Sequence, residues 1–263
     1  MSRIIINPDL CKICDICVLS CPMNIFIQKE GDSIPEVTHE EMCISCGHCV
    51  AICPGGAISH KSFPEGSIKP VNQDIIPSIE QILELLRTRR SIRVFKDKKV
   101  EKELIEKIID GARFAPSAHN VQSTEFLVIQ DKDILNRIIE LTISFLKGIS
   151  HPDYDMVVNA VQNGRDQILH NAPVLLVFHA EKNHFSDVNA TLALHNASLV
   201  IEGLGLGSFY TGYVIAACKH DKSIQSLLSI PKNHQIYGAL ALGYPKFEFK
   251  NWIERRPPKI EWV

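Results

Sequence analysis

Eight of the nine cysteines fall into two runs of one pattern. Cys11, Cys14, Cys17 and Cys21 precede Pro22, and Cys43, Cys46, Cys49 and Cys53 precede Pro54. Both runs read C-x2-C-x2-C-x3-C-P, and every cysteine of the second lies 32 residues after its counterpart (43 − 11, 46 − 14, 49 − 17, 53 − 21), so the segment is an internal repeat. Thiolates at this spacing are ligands of iron–sulfur clusters, and the chemistry they imply is one-electron transfer. Two-residue gaps let three thiolates curl around one cubane, while the proline after the fourth stops a regular ladder or helix. Gly47, Gly55 and Gly56 permit tight turns nearby. Zinc takes its ligands in C-x2-C pairs and leaves the third cysteine of each run without a task. Disulfide frameworks belong to small secreted chains, and no secretory leader is legible before Cys11.

The double run resembles that of two-cluster bacterial ferredoxins, over roughly residues 1–60. In those proteins the fourth cysteine of each run ligates the other cluster. The resemblance therefore implies one [4Fe-4S] cluster on Cys11, Cys14, Cys17 and Cys53, and a second on Cys43, Cys46, Cys49 and Cys21.

A second set of chemically able residues begins at Arg89-Arg90-Ser91-Ile92-Arg93. Three guanidiniums and a hydroxyl suit a phosphate; a solvated basic helix end reads equally well. Next comes Ala115-Pro116-Ser117-Ala118-His119-Asn120-Val121-Gln122, a run of small and amide residues before an apolar stretch. Such side chains can hydrogen-bond the edge of a heterocycle, or simply cap a loop.

Taken in order, these pieces resemble the nitroreductase family of FMN enzymes. They are R-R-S-x-R, then A-P-S-x-x-N-x-Q before F-x-V-I, then G-L-G-S-F-Y-T-G from Gly205, a late L-G-Y-P at Leu242–Pro245, and Arg255-Arg256-Pro257. The resemblance covers roughly residues 78–263, so the whole chain looks like a ferredoxin–nitroreductase fusion. It implies that Arg89, Arg90, Ser91 and Arg93 hold the FMN phosphate and ribityl chain. Pro116, Ser117, Ala118 and Asn120, with Gln122, would contact the flavin from the partner subunit of a homodimer with FMN at its interface. The backbone at Thr211 and Gly212 would face flavin N5, and Arg256, rather than Arg255, would reach the phosphate. Many members have a second serine where Ala118 stands. A family-level acceptor is a small nitroaromatic or quinone. No residue is expected to act as a catalyst in its own right, because the redox work falls on the cofactor.

The fusion suggests that one-electron donors such as ferredoxin load the clusters, which relay to FMN. NAD(P)H reducing FMN directly, with the clusters as an outlet, is the alternative. A non-enzymatic redox module is a third reading.

The elements that must position these groups are legible in outline. Residues 61–77 carry Pro64, Gly66, Pro70 and Pro77 and read as a linker between residues 1–60 and 78–263. Ser78 with Gln81 forms a capping box opening a helix, and a second helix spans Lys102–Arg113. Strands are expected at Phe126–Ile129, Val174–Phe178, Phe209–Val214 and Ile236–Leu242, with helices at Ile134–Leu146, Val188–Leu204 and Ser223–Leu228. This is a mixed α/β (α+β) fold, a central sheet flanked by helices. The polar segment Gly148–Gly164 shows weak periodicity and reads as a mobile loop over a site. Gly203-Leu204-Gly205-Leu206-Gly207 imitates a dinucleotide fingerprint but follows a helix, and reads as a helix stop. His119 sits within the flavin segment, His195 reads as a core or interface group, and Cys218 as a small buried residue. Charge is nearly balanced, 28 Lys and Arg against 30 Asp and Glu, so nothing points to nucleic acid. No apolar run approaches membrane-spanning length. A cytoplasmic protein of an anaerobic cell is the expectation.

Overall fold

The computed structural model describes residues 2–29, 33–64 and 66–263, so Glu65 of the expected linker lies outside the described residues. The chain divides into two compact units, residues 1–76 with His119–Val121, and residues 77–118 with 122–263.

The first unit carries the sequence repeat into three dimensions. Its elements are β1 (Ile4–Ile6), α1 (Ile16–Ser20), β2 (Phe26–Ile27), β3 (Glu36–Val37), α2 (His48–Ile52) and β4 (Ile58–His60). Adding 32 to α1 yields α2, and the same offset relates β1 to β3 and β2 to β4. The left-handed backbone positions repeat too: Ile13 with Ser45, Asp15 with Gly47, and Asn24 with Gly56 all have positive φ. Asp and Asn tolerate that region better than most residues, so the first copy places Asp15 and Asn24 where the second has glycine. Pairing crosses between the copies: β1 pairs with β4, and β2 with β3, both antiparallel. The halves are thus interleaved, with Ile4, Ile25, Phe26 and Ile58 buried between them. Gly55 is required by close approach, since a Cβ there would lie 2.1 Å from the Leu10 carbonyl oxygen.

The second unit begins with α3 (Ile79–Thr88), whose capping box is complete: Ser78 Oγ accepts from Gln81 N–H, and the Gln81 side chain accepts from Ser78 N–H. Next come α4 (Lys102–Arg113), β5 (Glu125–Ile129), α5 (Lys132–Lys147), α6 (Pro152–Gln162), β6 (Val174–Glu181), α7 (Ser186–Gly203), β7 (Gly207–Tyr210), α8 (Gly212–His220), α9 (Ser223–Leu227) and β8 (His234–Gly243). The sheet order is β5-β6-β8-β7, antiparallel throughout. Both faces are covered, so β6 is apolar almost along its length rather than alternating. Val174, Leu176 and Phe178 pack towards α4 and α7; Leu175 and Val177 pack towards α5, α6, α8 and α9.

Two sequence expectations are corrected. The segment Gly148–Gly164 is not a loop over most of its length but contains α6. Proline occupies its first turn, His151 Nδ1 accepts from Asp153 N–H at 3.3 Å, and Val157 and Val158 are buried in the core. Eleven residues with a narrow apolar face gave too weak a period to read. The expected strand Phe209–Val214 is split: β7 ends at Tyr210, Thr211 turns the chain, and α8 begins at Gly212, burying Val214, Ile215 and Ala217. Continuous apolar runs do not distinguish strand from buried helix. The Gly203–Gly207 stretch is a helix stop as read. Gly205 is left-handed, and Leu206 N–H and Gly205 N–H return to the Ile201 and Glu202 carbonyls, a Schellman turn.

Candidate functional site

Within the first unit the eight cysteines form two pockets. One is lined by Cys11, Cys14, Cys17 and Cys53, and the other by Cys21, Cys43, Cys46 and Cys49. The interleaved strands account for this exchange, since each copy's last cysteine leads into the strand that pairs with the other copy. Burial pushes the Cys17 thiol up and the Cys49 thiol up to about 11, with neighbouring thiols adding to the rise. Unmetallated cages of this kind hold protons that a metal must displace.

The two cages are not equivalent. In the second, Ser62 N–H donates to His60 Nδ1 at 3.0 Å, so Nδ1 is the acceptor and the ring proton sits on Nε2. That nitrogen lies 3.5 Å from Cys43 Sγ, which also receives Ser45 N–H at 3.4 Å. His48 Nδ1 lies 2.9 Å from Cys46 Sγ. The repeat counterparts of His48 and His60 are Ile16 and Gln28, and the Gln28 amide is turned instead to the Ser33 carbonyl at 3.0 Å.

In the second unit, Arg89, Arg90, Ser91 and Arg93 line a cavity of about 270 Å³ with Phe249 and Arg255. Ser91 bridges Ser208 of β7, and Ile92 N–H donates to the Ser208 carbonyl at 3.0 Å, so the segment is an added edge of the sheet. Gly207 makes this possible: a Cβ there would come within 2.5 Å of Ile92 Cγ1. The Arg93 guanidinium stacks 5.4 Å from the Phe209 ring centroid. Arg255, not Arg256, is the tail residue that lines the cavity. Sequence reasoning ranked the two the other way because a tail without regular structure gives no periodicity to say which side chain turns inward.

Thr211 is buried, and its hydroxyl donates to the Ala239 carbonyl at 3.2 Å rather than capping α8. The first-turn N–H groups of α8, beginning at Gly212, therefore keep their donors for an outside acceptor. A Cβ on Gly212 would meet nothing within 4 Å. This open face beside a helix N-terminus suits a flat ring.

The segment after Pro116 is folded on itself. Gln122 N–H donates to Ser117 Oγ at 3.0 Å, and His119, Asn120 and Gln122 all have positive φ. Ala118 N–H donates to Asn189 Oδ1 at 3.1 Å. Asn120 groups with the first unit, where its Nδ2 donates to the Ser45 carbonyl at 2.8 Å. Asn189 escaped the sequence reading, since one amide on a helix carries no motif. It is 3% exposed, and its Nδ2 has no acceptor among the described residues. A buried donor of this kind is costly unless something satisfies it.

A larger cavity, about 760 Å³, lies elsewhere, walled by Lys96, Lys98, Lys99 and Lys132 together with Asp97 and Asp166. Its mixed charge and its lack of any flavin-segment residue argue for the smaller arginine cavity as the anion site. Burial pushes the Cys218 thiol up to about 12, which leaves it inert. His195 lies on the exposed side of α7.

Residues 86–244 match the model of the nitroreductase family, and residues 10–58 match that of the 4Fe-4S dicluster domain. The chain belongs to the nitroreductase family. A nitroreductase of this kind is an oxidoreductase. Among its relatives is a putative NADH dehydrogenase/NAD(P)H nitroreductase of Archaeoglobus fulgidus, 32% identical over 176 residues, covering 65% of this chain and 88% of that protein. An FMN-dependent nitroreductase of Clostridium difficile is 28% identical with a TM-score of 0.51, over 65% of this chain and 92% of that one. A nitroreductase with bound FMN from Desulfitobacterium hafniense shares the fold at 21% identity, with a TM-score of 0.60 over 69% of this chain and 97% of that one. No helix among the described residues is long and apolar enough to cross a membrane.

Proposed function

We propose that this nitroreductase passes electrons between two [4Fe-4S] clusters and FMN, and on to a small acceptor such as a nitroaromatic or quinone. The observation that carries the reading is the presence, in one chain, of two four-cysteine pockets and an anion cavity walled by four arginines. When bound, FMN supplies two-electron chemistry and the clusters supply one-electron steps.

The chain's own residues then have defined tasks. Cys11, Cys14, Cys17 and Cys53 hold one cluster, and Cys43, Cys46, Cys49 and Cys21 the other. Arg89, Arg90, Arg93 and Arg255 bind the phosphate as charge-assisted forks, with Ser91 as a further donor. The N-terminus of α8 at Gly212 presents N–H groups to the ring edge and favours negative charge there. Pro116, Ser117, Ala118, Asn120 and Gln122 serve flavin held by a second copy. A homodimer is supported by apolar side chains exposed on α3 (Ile79, Ile82, Leu83, Leu86) and on the tail (Phe247, Phe249, Ile253, Trp262). Sedimentation of the flavin-loaded protein tests this.

The Archaeoglobus relative's name favours a second reading, in which NAD(P)H reduces FMN directly. Cys11→Ser and Cys43→Ser separate the two. On the relay reading each variant keeps FMN, loses iron, and loses turnover driven by reduced ferredoxin. Ferredoxin-driven turnover at the wild-type rate in either variant excludes the relay.

A further inference from the structure

The geometry points to a divalent transition-metal site formed by Glu125, His179 and His234, separate from the cysteine cages. The three residues come from the adjoining strands β5, β6 and β8, at one end of the sheet. Glu125 pairs directly with His179. A register shift between Phe178 and His179 moves the β6 pairing from Gly238 to Ile236. This brings His234 one residue nearer His179 than a regular ladder would, which is the re-aiming that bulges perform beside functional sites.

The result is two imidazoles, 7% and 9% exposed, whose rings are tilted 52° to one another and whose Nδ1 atoms are 3.1 Å apart. Glu125 stands over them from solvent. Its Oε2 is 3.9 Å from His179 Nδ1 and its Oε1 is 4.0 Å from His234 Nε2. With metal–nitrogen bonds of about 2.0–2.1 Å, two nitrogens 3.1 Å apart subtend roughly 95° at the ion. That is a cis angle, and neutral imidazole with carboxylate is a donor set for zinc, iron, nickel or copper rather than for magnesium or calcium. The three ligand atoms lie within 4.8 Å of one another, so the carboxylate swings inward to reach bonding distance. Three protein ligands leave positions open for water. Bound there, an ion ties the first residue of β5, and so the chain leaving Gln122, to the middle of the sheet. The rival account is a single N–H···N bond between two neutral rings with Glu125 as a bystander.

The test uses full-length protein with its clusters and flavin, freed of loose metal by brief chelation and given one equivalent of Zn²⁺ under anaerobic conditions. Equilibrium dialysis reads affinity, and zinc-edge X-ray absorption reads the ligands, distinguishing them from thiolates. One tight zinc per chain with a nitrogen and oxygen shell is expected. Glu125→Gln, an exposed change, should weaken binding at least about tenfold, and His234→Asn should abolish it with iron and flavin contents unchanged. If His234→Asn does not fold, Glu125→Gln decides. A sulfur shell, binding unaltered by Glu125→Gln, or no binding above background overturns the site.

Discussion

The proton on His60 Nε2 follows from a single neighbour, the Ser62 N–H that occupies Nδ1, and it points that proton at Cys43 Sγ. Donors to cluster sulfur stabilise the more negative, reduced state and raise the potential. Since Gln28, the repeat counterpart, turns to the Ser33 carbonyl instead, the cluster on Cys43, Cys46, Cys49 and Cys21 should be the easier of the two to reduce. His60→Leu should lower its midpoint in an EPR-monitored titration and leave the other cluster alone; equal movement of both, or of neither, would contradict the assignment. The arginines offer a second test. Arg255→Ala removes a charge-assisted contact of about 1.5–3 kcal/mol, about tenfold or more in FMN affinity by fluorescence titration. Arg256→Ala should leave that affinity unchanged. A reversed ranking would show that the other tail residue holds the phosphate.

Among the elements, the added edge at Ser91 is the part most exposed to a packing error. Gly207→Ala would push a Cβ into Ile92, at an overpacking cost of about 1–3 kcal/mol. It should release FMN while iron content stays at the wild-type level; retained FMN would mean that the arginine segment does not depend on β7. Helix α3 was legible because its cap residues and apolar period agree, and α4 from Lys102 to Arg113 by its apolar period alone. The cysteine repeat was legible to the residue, because ligand spacing is set by cluster chemistry rather than by context. Helix α6 was not legible, since its face is narrow, and α8 was hidden inside an apolar run whose period does not separate strand from helix. Asn189 and the Glu125–His179–His234 cluster were invisible for a different reason. They are brought together only by pairing between strands and helices distant in sequence.

For the molecule as a whole, buried and half-buried histidines contribute to the loss of stability on the acid side. Burial holds His170 below the ordinary imidazole value of 6.5; Asp166 opposes this, and Arg93 and Arg165 add to it. His60 and His179 are lowered as well, with burial again the leading cause. Below about pH 6.5 the unfolded chain therefore binds protons that the folded one refuses, and stability falls with pH, whereas above it these groups contribute no slope. His170→Asn should flatten the decline in unfolding temperature between about pH 7.5 and 5.5; an unchanged decline would assign it to other groups. The relay proposed between the cluster unit and the flavin unit is directly measurable. The protein, with iron and FMN counted per chain, is mixed anaerobically in a stopped-flow cell with reduced ferredoxin, NADH or NADPH in turn, while flavin absorbance is followed. About eight irons and one FMN per chain, with flavin bleached by ferredoxin and not by the nicotinamides, is the result expected of an inward relay. Rapid bleaching by NADH or NADPH with none by ferredoxin would contradict it.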